Sequence, residues 1–154
     1  MALTKINNNT LSAVTGLPAG VGGKVLQVVE ASFSTPTDIS STSYVDLGLS
    51  TTITPNSASN KILILTESQG EIGDGEGFGI AILRGATNIY ETGNYHNYVG
   101  GATQINMRNS YTYLDSPSTT SAITYKMQVK VYAGTVRLNQ NTTITKMLLM
   151  EIAG

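Results

Sequence analysis

From Ile123 to Val131 apolar and polar positions alternate without a break: Ile123, Tyr125, Met127, Val129 and Val131 fall on one side, Thr124, Lys126, Gln128 and Lys130 on the other. A period of two predicts a half-buried antiparallel strand, because successive strand side chains point to opposite faces. Residues 142–152 repeat the pattern, placing Ile144, Leu148, Met150 and Ile152 together and the charges of Lys146 and Glu151 on opposite faces. Strands are also predicted over 24–34, 61–68, 78–85 and 104–114, with shorter ones at 44–49, 51–54, 87–91 and 135–139. Between them lie Thr54-Pro55-Asn56, the glycine-rich 73–77, Val99-Gly100-Gly101, Ser116-Pro117 and Ala133-Gly134, the residue types that end strands and make turns. No window carries the 3.6-residue period of a helix. The expected fold is therefore all-β, an antiparallel β-sandwich of jelly-roll type with about eight to ten strands. The pattern does not order the strands within sheets.

The first 23 residues differ in kind. Asn7-Asn8-Asn9 and the glycine-rich run at 20–23 oppose strand formation, while Leu3, Ile6, Leu11, Val14, Leu17 and Val21 are spaced apolar residues. The expectation is a two-part chain: an N-terminal attachment arm over 1–23 and a β-sandwich domain over 24–154. Aliphatic side chains on an arm gain nothing in water, so they call for a surface that receives them.

Composition narrows the function classes. Only 12% of the 154 residues are charged, and the formal net charge is −1, which supplies no electrostatic footprint for nucleic acid or anionic lipid. No apolar stretch approaches the length that crosses a bilayer, and the N-terminus shows neither the basic nor the apolar region of a secretory signal. With no Cys, disulfides, thiolate metal sites and cysteine nucleophiles are excluded. Thr, Ser, Asn and Gly carry the solubility, and the fold rests on packing.

Lys24 to Leu65 carries a recognisable series: Gly23-Lys24-Val25-Leu26-Gln27-Val28-Val29, then 42–50 (TSYVDLGLS), then 52–64 (TITPNSASNKILI). It resembles a module of tail-fibre and other virion proteins of bacteriophages, marine cyanophages in particular. The closing 144–154 (ITKMLLMEIAG) is similar to that family's last strand, and residues 3–16 look like its attachment peptides. The resemblance implies a homotrimer, a virion location after synthesis in the bacterial cytoplasm, and contact with other virion proteins through residues 1–23. It carries no catalytic role. A short chain with its own arm also fits a capsid decoration protein; a host carbohydrate-binding module is a third, less favoured class.

Two stretches invite chemistry. Glu71, Asp74 and Glu76 surround three glycines and could offer carboxylate oxygens to Ca²⁺, although the spacing is not that of an EF-hand and a solvated acidic loop explains them as well. Residues 89–101 gather Tyr90, Tyr95, Tyr98 and the only histidine, His96, beside Asn94 and Asn97. Aromatic faces with neighbouring amides suit a sugar surface, so Tyr95, His96, Asn97 and Tyr98 are the candidate receptor-binding residues, with a host cell-surface glycan as ligand. The alternative places Tyr90 and Tyr98 in the core or at a subunit contact. No nucleophile elbow or other catalytic signature is present, so neither an enzyme nor a cofactor is expected.

Overall fold

The computed structural model describes residues 24–93, 95–101 and 103–154. The anticipated arm, with Leu3, Ile6, Leu11, Val14 and Leu17, and also Asn94, lie outside the described residues. Ten strands follow in chain order: β1 (Val25–Phe33), β2 (Thr37–Ile39), β3 (Val45–Ile53), β4 (Lys61–Ile72), β5 (Gly77–Arg84), β6 (Thr87–Glu91), β7 (Ile105–Asp115), β8 (Ile123–Ala133), β9 (Val136–Leu138) and β10 (Thr145–Ile152). Every pairing is antiparallel. Among the described residues there is no helix.

The first sheet runs β1-β10-β4-β7, with the short pair β9-β2 added beside the far end of β4; the second runs β3-β8-β5-β6. Apart from the β5–β6 hairpin, every connection between the longer strands passes from one sheet to the other. The first strand thereby comes to lie beside the last, which is the double Greek key of a jelly roll. The inner faces meet in one core: Ile62, Ile64, Met147 and Leu149 from the first sheet face Leu49, Ile80, Tyr125, Met127 and Val129 from the second. Each fully buried aliphatic side chain of this kind contributes about 1.5–3 kcal/mol.

β8 buries the side that its alternation predicts, from Ile123 to Val131. β10 does the reverse. Thr145, Met147, Leu149 and Glu151 point inward, while Leu148, Met150 and Ile152 lie on the outer face and Ile144 precedes the strand. Both faces of β10 are apolar, so alternation alone could not choose between them, and Glu151 enters the interior because donors await it. Its carboxylate accepts from Gln27 Nε2 (2.6 Å), Asn56 N (2.7 Å), Asn56 Nδ2 (2.9 Å) and Asn60 Nδ2 (2.5 Å). Burial alone would raise this carboxyl, but the hydrogen bonds outweigh it and hold the group below its ordinary range. The 54–60 loop is pinned to the last strand by this one side chain.

Other strand expectations change in detail. The segments 44–49 and 51–54 are one strand, β3, in which Gly48 at φ +99° forms a bulge against the Phe33 ring. β2 escapes the pattern because three residues are too few to show a period. The continuous apolar run of β5 reflects cover on both faces. Phe78, Ile80 and Ile82 enter the core, and on the other side any Cβ at Gly79 would strike the Gly93 carbonyl oxygen.

The sandwich has two unlike ends. At the Lys61 end of β4 lie Val25 and Ile152, Glu151, and the pair Arg84–Asp115. Arg84 Nη1 reaches both Asp115 oxygens (3.0 and 3.1 Å), and the buried Tyr125 hydroxyl donates to Oδ2 (2.6 Å). Burial, then Asp115, pushes the Tyr125 phenol far up. At the Ile72 end the chain turns through 73–76 into β5, opposite Ala133 of β8.

Candidate functional site

The 95–101 loop closes the Ile72 end. Its backbone is laced to the 73–76 turn: Gly75 N donates to Val99 O (2.9 Å), Val99 N to Glu76 O (3.0 Å) and Gly101 N to Asp74 Oδ1 (2.5 Å). Val99 and Asn97 point inward and are buried. Asn97 Nδ2 lies 3.4 Å from the Tyr111 hydroxyl and 3.5 Å from Phe78 O. Tyr98, between the two buried residues, points outward, and so does Tyr95 in the turn at 95–97; they are 47% and 61% exposed.

The two outward rings do not stand alone. Tyr132, at the end of β8 and 41% exposed, packs against both. Ring centroids are 4.4 Å apart for Tyr95–Tyr132, 5.6 Å for Tyr95–Tyr98 and 6.0 Å, edge to face, for Tyr98–Tyr132. The adjoining Tyr132 phenol raises the Tyr95 hydroxyl above its ordinary range, with smaller contributions from partial desolvation and from Tyr98. The result is a platform of three aromatic rings with hydroxyls at its rim, held by mutual packing. His96 is exposed, with its ring 5.6 Å from that of Tyr111.

A second tyrosine group joins β6 to β7. Tyr90 packs on Tyr111 (6.5 Å) and on Tyr113 (5.7 Å), and Tyr111 is 3% exposed. Burial raises the Tyr111 phenol, against the opposing hydrogen bond from Asn97.

The four residues singled out in this loop thus divide. Tyr95, His96 and Tyr98 reach solvent together, whereas Asn97 is buried and positions the loop. Tyr132 was missed, although the alternation of β8 places it on the outer face with Lys130 and Gln128. Nothing local ties it to Tyr95.

The carboxylates of 71–76 turn to three different partners. Glu71 belongs to β4, is buried, and pairs with Arg137 (3.1 Å), rather than lying in a solvated loop. Asp74 caps Gly101. Glu76 accepts from Gly73 N (2.6 Å) and Thr135 N (3.2 Å). Among the described residues no three His, Cys, Asp or Glu side chains are grouped to hold a metal ion, and no helix is long and apolar enough to cross a membrane.

No protein-family model matches the chain, and no curated protein matches it. Solved structures do. The VP2 subviral particle of infectious bursal disease virus superposes with a TM-score of 0.53 at 11% identity, over 82% of this chain and 38% of that one. The structure of the Gx strain of the same virus gives 0.45 at 10% identity, over 83% of this chain and 40% of that one. The chain spans less than half the length of the viral chains it matches. The first likeness establishes the shared β-sandwich fold.

Proposed function

We propose that this chain is a phage virion structural protein, a tail-fibre-type trimeric domain that docks through residues 1–23 and presents the Tyr95–Tyr98–Tyr132 platform to a host-surface glycan. The observation that carries the reading is the opposition of the two ends. The arm leaves at Lys24, beside Ile152 at the Lys61 end of β4, and the platform stands past the Ile72 end. A strand of 12 residues separates them by roughly 35–40 Å. Attachment at one end therefore leaves the other exposed. Stacked aromatic faces rimmed by hydroxyls can pack on sugar C–H surfaces and hydrogen-bond their hydroxyls. The reading assigns no catalysis and no cofactor.

The test is binding of the purified chain to host cells and to a glycan array, with Tyr95→Ala, Tyr98→Ala and Tyr132→Ala combined. Loss of binding with an unchanged fold is expected. Retained binding removes the platform from the argument.

A capsid decoration protein is the second reading, favoured by the jelly-roll fold shared with the VP2 particle and by the apolar outer face of the first sheet. Counting copies in purified virions by cryo-electron microscopy separates the two: a few at the tail for a fibre, a lattice over the head for decoration.

A further inference from the structure

The outer face of the β1-β10-β4-β7 sheet is apolar at one end and polar at the other. Across the strands, register places Val28, Met150, Leu63 and Leu114 in one row. The next row is Glu30, Leu148, Leu65 and Thr112. Val28 is 53% exposed and Leu114 48%, and Leu63, Leu65, Leu148 and Met150 are half-buried without belonging to the core. Beyond them the face turns polar, through Ser32, Lys146, Glu67 and Ser110. Contiguous apolar surface of this kind marks a binding face.

We infer that in the free chain this face is covered by the chain's own residues 3–21. Three features of the molecule favour that occupant. The apolar rows are those nearest Lys24, the residue through which the arm joins the sheet, and not those at the platform end. The arm brings Leu3, Ile6, Leu11, Val14 and Leu17 and no acidic residue, its one charged side chain being Lys5. The cleft of about 280 Å³ in the middle of the face holds two carboxylates, Glu30 and Glu67, against the single ammonium of Lys146. Length and connection also suffice. The row from Val28 to Leu114 spans about 15 Å, which roughly five extended residues cover. Gly20, Gly22 and Gly23 allow the reversal that brings the arm back over its own sheet. A tethered segment meets the face at an effective concentration in the millimolar range, so modest contacts hold it. Attachment to a particle then exchanges one partner of the arm for another, but the inference concerns the free chain and stands apart from the virion reading.

Because the chain has no Cys, Ser12→Cys gives a single site for a nitroxide label in the otherwise intact chain. The expected result is selective loss of methyl signal intensity at Leu63, Leu65, Leu148 and Met150, with Leu49 and Val129 of the second sheet retained. Leu63→Ser with Leu148→Ser should restore the remaining signals while leaving the amide spectrum folded. Those substitutions should also speed tryptic cleavage after Lys5 about tenfold, since cleavage follows the open population. Uniform intensities in the labelled chain overturn the inference. So does a loss that arises only between spin-labelled and isotope-labelled copies in a mixed sample, which would place the arm on a neighbouring molecule.

Discussion

Two groups of three tyrosines lie within one loop's reach and behave differently. Tyr90 of β6 packs on Tyr111 and Tyr113 of β7, with Tyr111 buried and bonded to Asn97 of the loop, whereas Tyr95, Tyr98 and Tyr132 pack on one another and face solvent. The residue type is the same, and the ring separations overlap, at 5.7 and 6.5 Å in the inner group and 4.4–6.0 Å in the outer one. What differs is the floor: the inner group rests on the β4–β7 sheet and the core, the outer group on itself. Aromatic packing therefore stabilises the fold in one place and builds a presentable surface in the other. Asn97 divides the two, anchored below while its neighbours point up.

The contrast breaks most directly at Tyr111. Tyr111→Ala should cost about 3–5 kcal/mol in urea denaturation, the range for deleting a large buried ring. Tyr95→Ala should lower stability far less, as a surface substitution does; comparable losses would mean that both groups are structural.

Asn97→Leu comes next, at about 1–3 kcal/mol, because it leaves the Tyr111 hydroxyl and the Phe78 carbonyl short of a partner. Ring-to-ring nuclear Overhauser effects should weaken in the outer group and persist in the inner one.

Alkaline pH sharpens the comparison further. A phenol whose folded pKa is raised ionises first in the unfolded chain, so its stabilisation is complete below about 10 and is lost as pH rises through the folded value. Tyr111 and Tyr125 are both raised by burial, and Tyr44, raised by burial and then by Glu91, reaches about 12. Stability should therefore fall as pH rises above about 10, the ordinary phenol value. Tyr111→Phe should make the fall shallower, and Tyr95→Phe should do so less, because solvent screens the shift of a ring that is 61% exposed. Denaturation series at stepped pH give the slopes.

The smallest effect is expected at Tyr132. Tyr132→Ala should change stability by no more than about 0.5 kcal/mol, yet return the Tyr95 phenol toward its ordinary pKa by removing the neighbouring phenol that raises it. Site-resolved NMR titration reads this directly. An unmoved Tyr95 would show that the two rings are neighbours without coupling.

Much of the molecule was legible in the chain itself. Period-two alternation with Gly, Pro and Asn breaks determined an all-β sandwich, most of its strands, and the buried face of β8, because the pleat converts sequence parity into sidedness. The aromatic and amide composition of 89–101 singled out Tyr95, His96, Asn97 and Tyr98 as one loop. Only the tertiary structure decided the rest. Strand order depends on which long-range pairings close the core, and parity carries no information about partners. The inward turn of β10 depends on Gln27, Asn56 and Asn60, whose donors make a buried Glu151 favourable. Glu71 was drawn from its expected loop into β4 by the extension of the β7 ladder and by Arg137. The platform needed Tyr132, which reaches Tyr95 and Tyr98 because β8 ends where the 95–101 loop is laced to the 73–76 turn, a meeting of segments that no local spacing records.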